Sequence, residues 1–130
     1  MPPDNSTLAE VSLWLEYAEA DLALAQVPLP EKSKYEMLLF HAQQAVEKAL
    51  KAILIIHGIE VPHSHNLLKL VELLPPQYAS IPMLAQATAL TDYAVFARYP
   101  GEHAPVDEKF YHEMVKLAED VVAWAQMIII

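Results

Sequence analysis

From Leu38 to Ile56, apolar side chains recur every three or four residues, at Leu38, Leu39, Ala42, Ala45, Val46, Ala49, Ile53 and Ile56. That is the period of one helix face, not the alternation of a strand. A stretch this long without proline or glycine leaves the chain little choice but a helix of about six turns. Gln43, Gln44, Glu47, Lys48 and Lys51 supply its polar positions. Glu47 and Lys51, four residues apart, form the kind of pair that steadies an exposed helix by about 0.3–0.5 kcal/mol. Ala42, Ala45 and Ala49 leave room for a neighbouring helix to pack closely.

The same period recurs along most of the chain. Leu8, Val11, Leu15, Ala18, Leu22 and Ala25 mark a first helix, with Thr7 and Glu10 as a capping box and Pro28 and Pro30 ending it. Ser33 and Glu36 form a second capping box for the long helix, and Gly58 closes it. A short third helix fits Ser64 to Leu74, with Leu67, Leu70, Val71 and Leu74 on one side and Pro75-Pro76 as the stop. Ser80 caps a fourth that starts at Pro82 and runs through Leu84, Ala87, Thr91, Ala94 and Val95 until Pro100 and Gly101 break it. Pro105, Asp107 and Glu108 open a fifth, whose stripe is Phe110, Met114, Leu117, Val121 and Trp124. No segment has the period of a strand. The expected fold is one all-α domain over residues 1–130: an antiparallel up-and-down four-helix bundle with an additional short helix. Trp14 and Tyr17 lie off the first helix's stripe, and a surplus apolar face of this kind predicts a homodimer.

Composition removes several classes of function. With 55% hydrophobic residues in 130, the chain can build a core and is not disordered. Two glycines are too few for the phosphate loops of nucleotide-binding enzymes. Cysteine is absent, which excludes disulfides, thiolate nucleophiles and Cys-based zinc sites. The N-terminus lacks the pattern of a signal peptide, and the apolar run from Ala52 to Ile59 is too short to span a bilayer, so the expected location is the cytoplasm, away from membranes. A net charge of −9 with Arg98 as the sole arginine argues against a broad basic surface for duplex DNA.

The most informative stretch for chemistry is Arg98-Tyr99-Pro100-Gly101-Glu102-His103. A break at Pro100 lets the chain turn back, so that guanidinium and imidazole can converge between the fourth and fifth helices. Such a pair suits phosphodiester chemistry: the imidazole moves the ribose 2′-hydroxyl proton and the guanidinium neutralises charge growing on phosphate. The alternative is structural, with Arg98 bonding the last helix carbonyls and His103 on the surface. Glu102, Asp107 and Glu108 repel phosphate locally, offset by Lys109 and Lys116. Tyr99 and Tyr93 can stack on a base or serve packing. Asp21, among Trp14, Tyr17 and Leu24, is a candidate for contacting substrate, and otherwise an ion-pair partner for Arg98 or a solvated acid. His63 and His65, with His57 or His103, could be imagined around a metal, but they read better as polar residues at a helix start, and no metal or other cofactor is expected. His41 and His112 read as structural or surface residues.

The runs Phe40-His41-Ala42-Gln43-Gln44-Ala45-Val46-Glu47-Lys48-Ala49-Leu50-Lys51-Ala52, Pro62-His63-Ser64-His65-Asn66-Leu67, Leu90-Thr91-Asp92-Tyr93-Ala94 and Arg98-Tyr99-Pro100-Gly101 strongly resemble the HEPN domain family. The likeness covers nearly the whole chain and is most specific in the long helix. It implies a helical bundle, usually homodimeric, in small prokaryotic proteins that often pair with a minimal nucleotidyltransferase as toxin and antitoxin. Many members are metal-independent ribonucleases with an Arg, four to six residues, then a His. By that resemblance Arg98 binds the scissile phosphate, His103 is the acid and base, and the dimer brings two such pairs together on RNA. The chain departs from the catalytic pattern in having Tyr99 directly after the Arg and Pro105 two residues after the His. The Arg-Tyr-Pro-Gly form also occurs in a branch where the motif is a structural corner or holds a nucleotide. The alternative function is therefore a non-catalytic module that binds a nucleotide or a partner protein, the nucleotidyltransferase included.

Overall fold

The computed structural model describes residues 3–94 and 105–129, all helix, turn or loop with no strand among them. Three long helices make the frame: α1 (Asn5–Ala25), α2 (Tyr35–Ile56) and α5 (Glu108–Ile129). Two one-and-a-half-turn helices, α3 (Leu67–Glu72) and α4 (Pro82–Ala87), complete it, together with 3-10 turns at Pro76–Tyr78 and Thr88–Tyr93. α1 runs antiparallel to both other long helices. It meets α2 through Trp14 beside Lys51, Tyr17 beside Lys48 and Asp21 beside His41. It meets α5 through Glu19 with Gln126 and Gln26 with Glu119.

Capping explains where the elements begin and end, and several caps differ from the sequence expectation. α1 starts earlier than Thr7 because Asp4 is its N-cap, its Oδ1 accepting the Thr7 amide at 2.7 Å. The expected Ser33 cap of α2 is spent in a preceding turn, where the Ser33 amide donates to the Pro30 carbonyl and Lys32 takes φ +68°, so Lys34 stands at the N-cap without a side-chain bond. The other end of α2 is as expected. Gly58 adopts φ +72°, and Ile59 and Gly58 donate to the carbonyls of Leu54 and Ile55, a Schellman turn that reverses the chain.

α3 is shorter than Ser64 to Leu74, because Ser64 Oγ accepts the Asn66 amide and Asn66 Oδ1 accepts the Leu68 amide, holding residues 64–66 in turns ahead of the helix. α4 starts at Pro82 as expected but without a Ser80 bond, and it tightens to 3-10 geometry at Thr88. There the Thr88 hydroxyl donates back to the Ala85 carbonyl at 2.6 Å, while Thr91 Oγ1 accepts the Leu67 amide at 3.0 Å. The Thr88 side chain competes with a regular helix ladder, whereas Thr91 satisfies a free amide at the start of α3. Asp107 caps α5 through the Phe110 amide at 2.8 Å.

The core is centred on α2, which packs chiefly against α1 and then α5. Ala18 and Ala25 of α1 and Ala42, Ala45, Ala49 and Ala52 of α2 are fully buried, and such small side chains let the two axes approach. Leu39, Leu50, Ile53, Leu54, Leu67, Leu70, Leu84, Leu90 and Val121 fill the remaining interior. On α5 the buried line shifts by one residue from the expected stripe: Tyr111, Val115, Ala118 and Val122 are inside with Met114 and Val121, while Phe110, Leu117 and Trp124 pack at its margin. Tyr111 stacks on Tyr35 at 4.6 Å and donates its hydroxyl to the Ala25 carbonyl, and burial pushes its phenol pKa up.

The Asp4 cap gives a pH prediction. Hydrogen bonding by the Thr7 amide holds the Asp4 carboxyl below its ordinary pKa. A depressed folded-state pKa means the cap's contribution is complete above the unfolded aspartate value and fades as pH falls through the lower folded one. The protection factor of the Thr7 amide against hydrogen exchange should therefore drop across that acidic window in the native chain. In Asp4→Asn, whose cap does not titrate, it should stay level. A parallel drop in both proteins would refute the assignment.

Candidate functional site

Of the residues expected to act on RNA, Arg98, Tyr99 and His103 lie outside the described residues. The segments on either side of that stretch are in contact: the rings of Tyr93 and Phe110 lie 6.2 Å apart. Tyr93 thus serves packing, one of the two roles its sequence position allowed.

Asp21, the fourth expected site residue, is buried between α1 and α2. Its Oδ1 lies 3.1 Å from His41 Nδ1, and its Oδ2 accepts a hydrogen bond from Lys48 Nζ. Lys48 also stands over the Tyr17 ring, 5.9 Å from its centre. Asp21 is thus an ion-pair acid whose cation among the described residues is Lys48, where the sequence reading named Arg98, which lies outside them. A carboxylate taken out of water needs such partners, since a lone buried charge is costly. His41 orients the second oxygen, which makes it structural.

The largest departure from the sequence reading lies one turn further along α2. Gln43, Glu47 and Lys51, expected on the solvent side, are 0%, 3% and 8% exposed. They form a ladder at four-residue spacing. Lys51 Nζ lies 2.9 Å from Glu47 Oε2, and Gln43 Nε2 donates to Glu47 Oε1 at 3.1 Å and to the His65 carbonyl at 3.0 Å. His65 Nδ1 lies 2.8 Å from Glu47 Oε1, and Gln44 donates to the Gln43 side-chain carbonyl at 2.7 Å. Glu47 is therefore the hub of a buried network that ties α2 to the segment between α2 and α3. The sequence carried a signal for it. The polar row Gln43–Glu47–Lys51 is flanked by the apolar row Ala42–Val46–Leu50–Leu54 and continues into Leu39 and Ile55, so it ends in apolar residues both ways.

The remaining histidines are spread out. His57 faces the Tyr78 hydroxyl at 2.9 Å, His65 faces Glu47, and His112 pairs with Glu108 on the surface of α5. Among the described residues, no three His, Asp or Glu side chains gather in a way that could hold a metal ion.

Next to the ladder, the Schellman turn and the stretch of chain after it enclose a cleft of about 480 Å3 against α1 and α2. Lys51 and Trp14 lie along it, the ammonium 5.8 Å from the indole centre. No helix among the described residues is long and apolar enough to cross a membrane.

Comparison with known proteins bears on family and fold. The crystal structure of TT1696 from Thermus thermophilus superposes with a TM-score of 0.76 at 31% identity, covering 90% of this chain and 96% of that one. The crystal structure of ST0689, described as an archaeal HEPN homologue, superposes with a TM-score of 0.70 at 26% identity, covering 92% and 98%. The protein named "Putative toxin MJ1304" from Methanocaldococcus jannaschii is 47% identical over 59 residues, which are 45% of this chain and 38% of that protein. The match thus spans well under half of that relative's length. The model of the HEPN domain family matches residues 11–128. The chain is a member of the HEPN domain family.

Proposed function

We propose that this protein is the toxin of a toxin–antitoxin pair, a cytoplasmic homodimer that cleaves RNA without a metal and is held in check by a minimal nucleotidyltransferase. The observation that carries the reading is the pair of Arg98 and His103, with four residues between them, in a chain of this family. The toxin named among its relatives supports it. In this reading Arg98 neutralises the scissile phosphate, His103 takes the 2′-hydroxyl proton and returns one to the leaving 5′-oxygen, and Tyr99 stacks on a neighbouring base. Leu13, Tyr17 and Leu24, about half exposed along α1, supply apolar surface for a second copy.

The test is incubation of the purified protein with total tRNA in EDTA, followed on a denaturing gel, beside Arg98→Ala and His103→Ala shown to be folded. Each substitution is expected to lower cleavage by about a hundredfold or more. Cleavage that survives both substitutions places the activity elsewhere. A second reading, a binding module without catalysis, is favoured by the net charge of −9 and the single arginine. It predicts that no RNA is cut and that the Arg98 and His103 variants differ from wild type only in binding.

A further inference from the structure

α1 is apolar on two sides. Its inner row, Val11, Ala18 and Ala25 with Asp21, is buried in the bundle. Its outer row is Leu13, Tyr17, Ala20 and Leu24, at intervals of four, three and four residues, which is the spacing of a coiled-coil seam. Leu13, Tyr17 and Leu24 are 51%, 58% and 48% exposed, and Ala20 between them is exposed too. A helix that is apolar on both sides is suited to being covered on both. The Tyr17 ring has a fixed neighbour already, because the Lys48 ammonium stands over it while bonding Asp21.

What fits this row is the row itself, turned end to end. In an antiparallel pair of α1 helices, with the two-fold axis between Ala18 and Glu19, Leu13 faces Leu24 of the second copy and Tyr17 faces its Ala20, each contact occurring twice by symmetry. The bulkiest side chain of the row thus meets the smallest. Charge favours the same direction. α1 carries Glu10, Glu16, Glu19 and Asp21 and no lysine or arginine. Antiparallel, Glu10 and Glu16 come opposite Val27 and Ala23 of the second copy. In a parallel pair Glu10 would face Glu10 and Tyr17 would face Tyr17, setting like charges together and leaving a gap between the two alanines. A foreign helix gains from these acids only by bringing bases, whereas a second copy in this register needs none.

We propose that α1 pairs antiparallel with α1 of a second copy, with Tyr17 seated on Ala20 near the axis and Leu13 on Leu24 further out. The inference rests on the homodimer of the reading above, whose contact it specifies, and it is independent of RNA cleavage. Four layers of side chains from one helix are a small contact beside the roughly 800 Å2 per partner of a standard interface, so the expected dimer is reversible, with Kd in the micromolar range.

The chain has no cysteine, so introduced thiols report the register directly. Leu13→Cys and Leu24→Cys are prepared separately, mixed in equal amounts and mildly oxidised. A disulfide-linked dimer is expected in the mixture and little in either protein alone, because the two copies of residue 13 lie about 16 Å apart along the pair. Ala20→Glu places a carboxylate under each Tyr17; with its fold confirmed by circular dichroism, it should weaken the dimer in sedimentation equilibrium by about tenfold or more. Disulfides in each protein alone, or none in the mixture, overturn the proposed register. A dimer unchanged by Ala20→Glu also overturns it, leaving the homodimer standing and this face of α1 open to another protein. A wild-type chain that stays monomeric at millimolar concentration overturns both together.

Discussion

Glu47→Ala should destabilise the fold by about 3–5 kcal/mol, measured as the loss of unfolding free energy in urea. Truncation leaves the Lys51 ammonium, 8% exposed, without its carboxylate. It also takes the common acceptor from Gln43, Gln44 and His65. A buried cation without a partner is costly because water no longer solvates it and nothing replaces that solvation. The paired replacement Glu47→Leu/Lys51→Met removes both charges and keeps the volume, so it should recover more than half of the loss. It will not recover everything, since the bond between His65 and Glu47 is lost in either variant. A single-variant cost below about 1 kcal/mol would mean that water reaches Lys51 freely and that the ladder is a surface pair after all.

The misreading of that ladder shows what a helical period can and cannot reveal. The period places Gln43, Glu47 and Lys51 on one row of α2, but a row faces solvent only if nothing packs over it. Here Trp14 of α1 and the segment reaching His65 cover it, and both contacts join residues far apart in sequence. Local information misses such covers more readily than it misses helices. Asp21 is a similar case: its place among Trp14, Tyr17 and Leu24 marks it as an acid in need of a partner, yet Lys48, the partner it finds, lies 27 residues away. By contrast, the Gly58 turn and the Asp107 cap are set by bonds within six residues, and the sequence reading places the turn at Gly58 and the start of the fifth helix at Asp107 and Glu108. The 3-10 turn at Thr88–Tyr93 falls between these cases. Thr88 acts locally, but Thr91 is engaged by the Leu67 amide on another element.

These contacts also indicate how the molecule divides its polar groups. Asp21–Lys48–His41 lies between α1 and α2, and Glu47–Lys51–His65 lies between α2 and the chain leading to α3. Both clusters take their lysine from α2, so the long helix carries a cation toward each of two neighbours, Lys51 buried and Lys48 partly exposed. Apolar packing would stabilise these interfaces as well or better; paired charges specify register, because a slip by one residue would strand a charge in the interior. Lys51 of the second cluster also lines the cleft beside the Gly58 turn.

Leu50→Ala and Met37→Ala, two truncations of large apolar side chains on α2, should differ sharply. Leu50 is fully buried in the core, and removing its side chain should cost about 2–5 kcal/mol, through lost burial and the cavity left behind. A loss of about 3 kcal/mol should lower Tm by roughly 10 °C for a domain of this size. Met37 is 57% exposed, and its truncation should stay within about 0.5 kcal/mol of wild type. Thermal unfolding of the two variants side by side checks the orientation of the helix as well as the energies, because a rotated helix would exchange their roles. A large cost at Met37 in the isolated chain would instead bring that residue into the core and refute the packing of α2 against α1 and α5. If the cost at Met37 rose with protein concentration, that face of the helix would lie in a contact between copies, and the surface available for dimerisation would have to extend beyond Leu13, Tyr17 and Leu24.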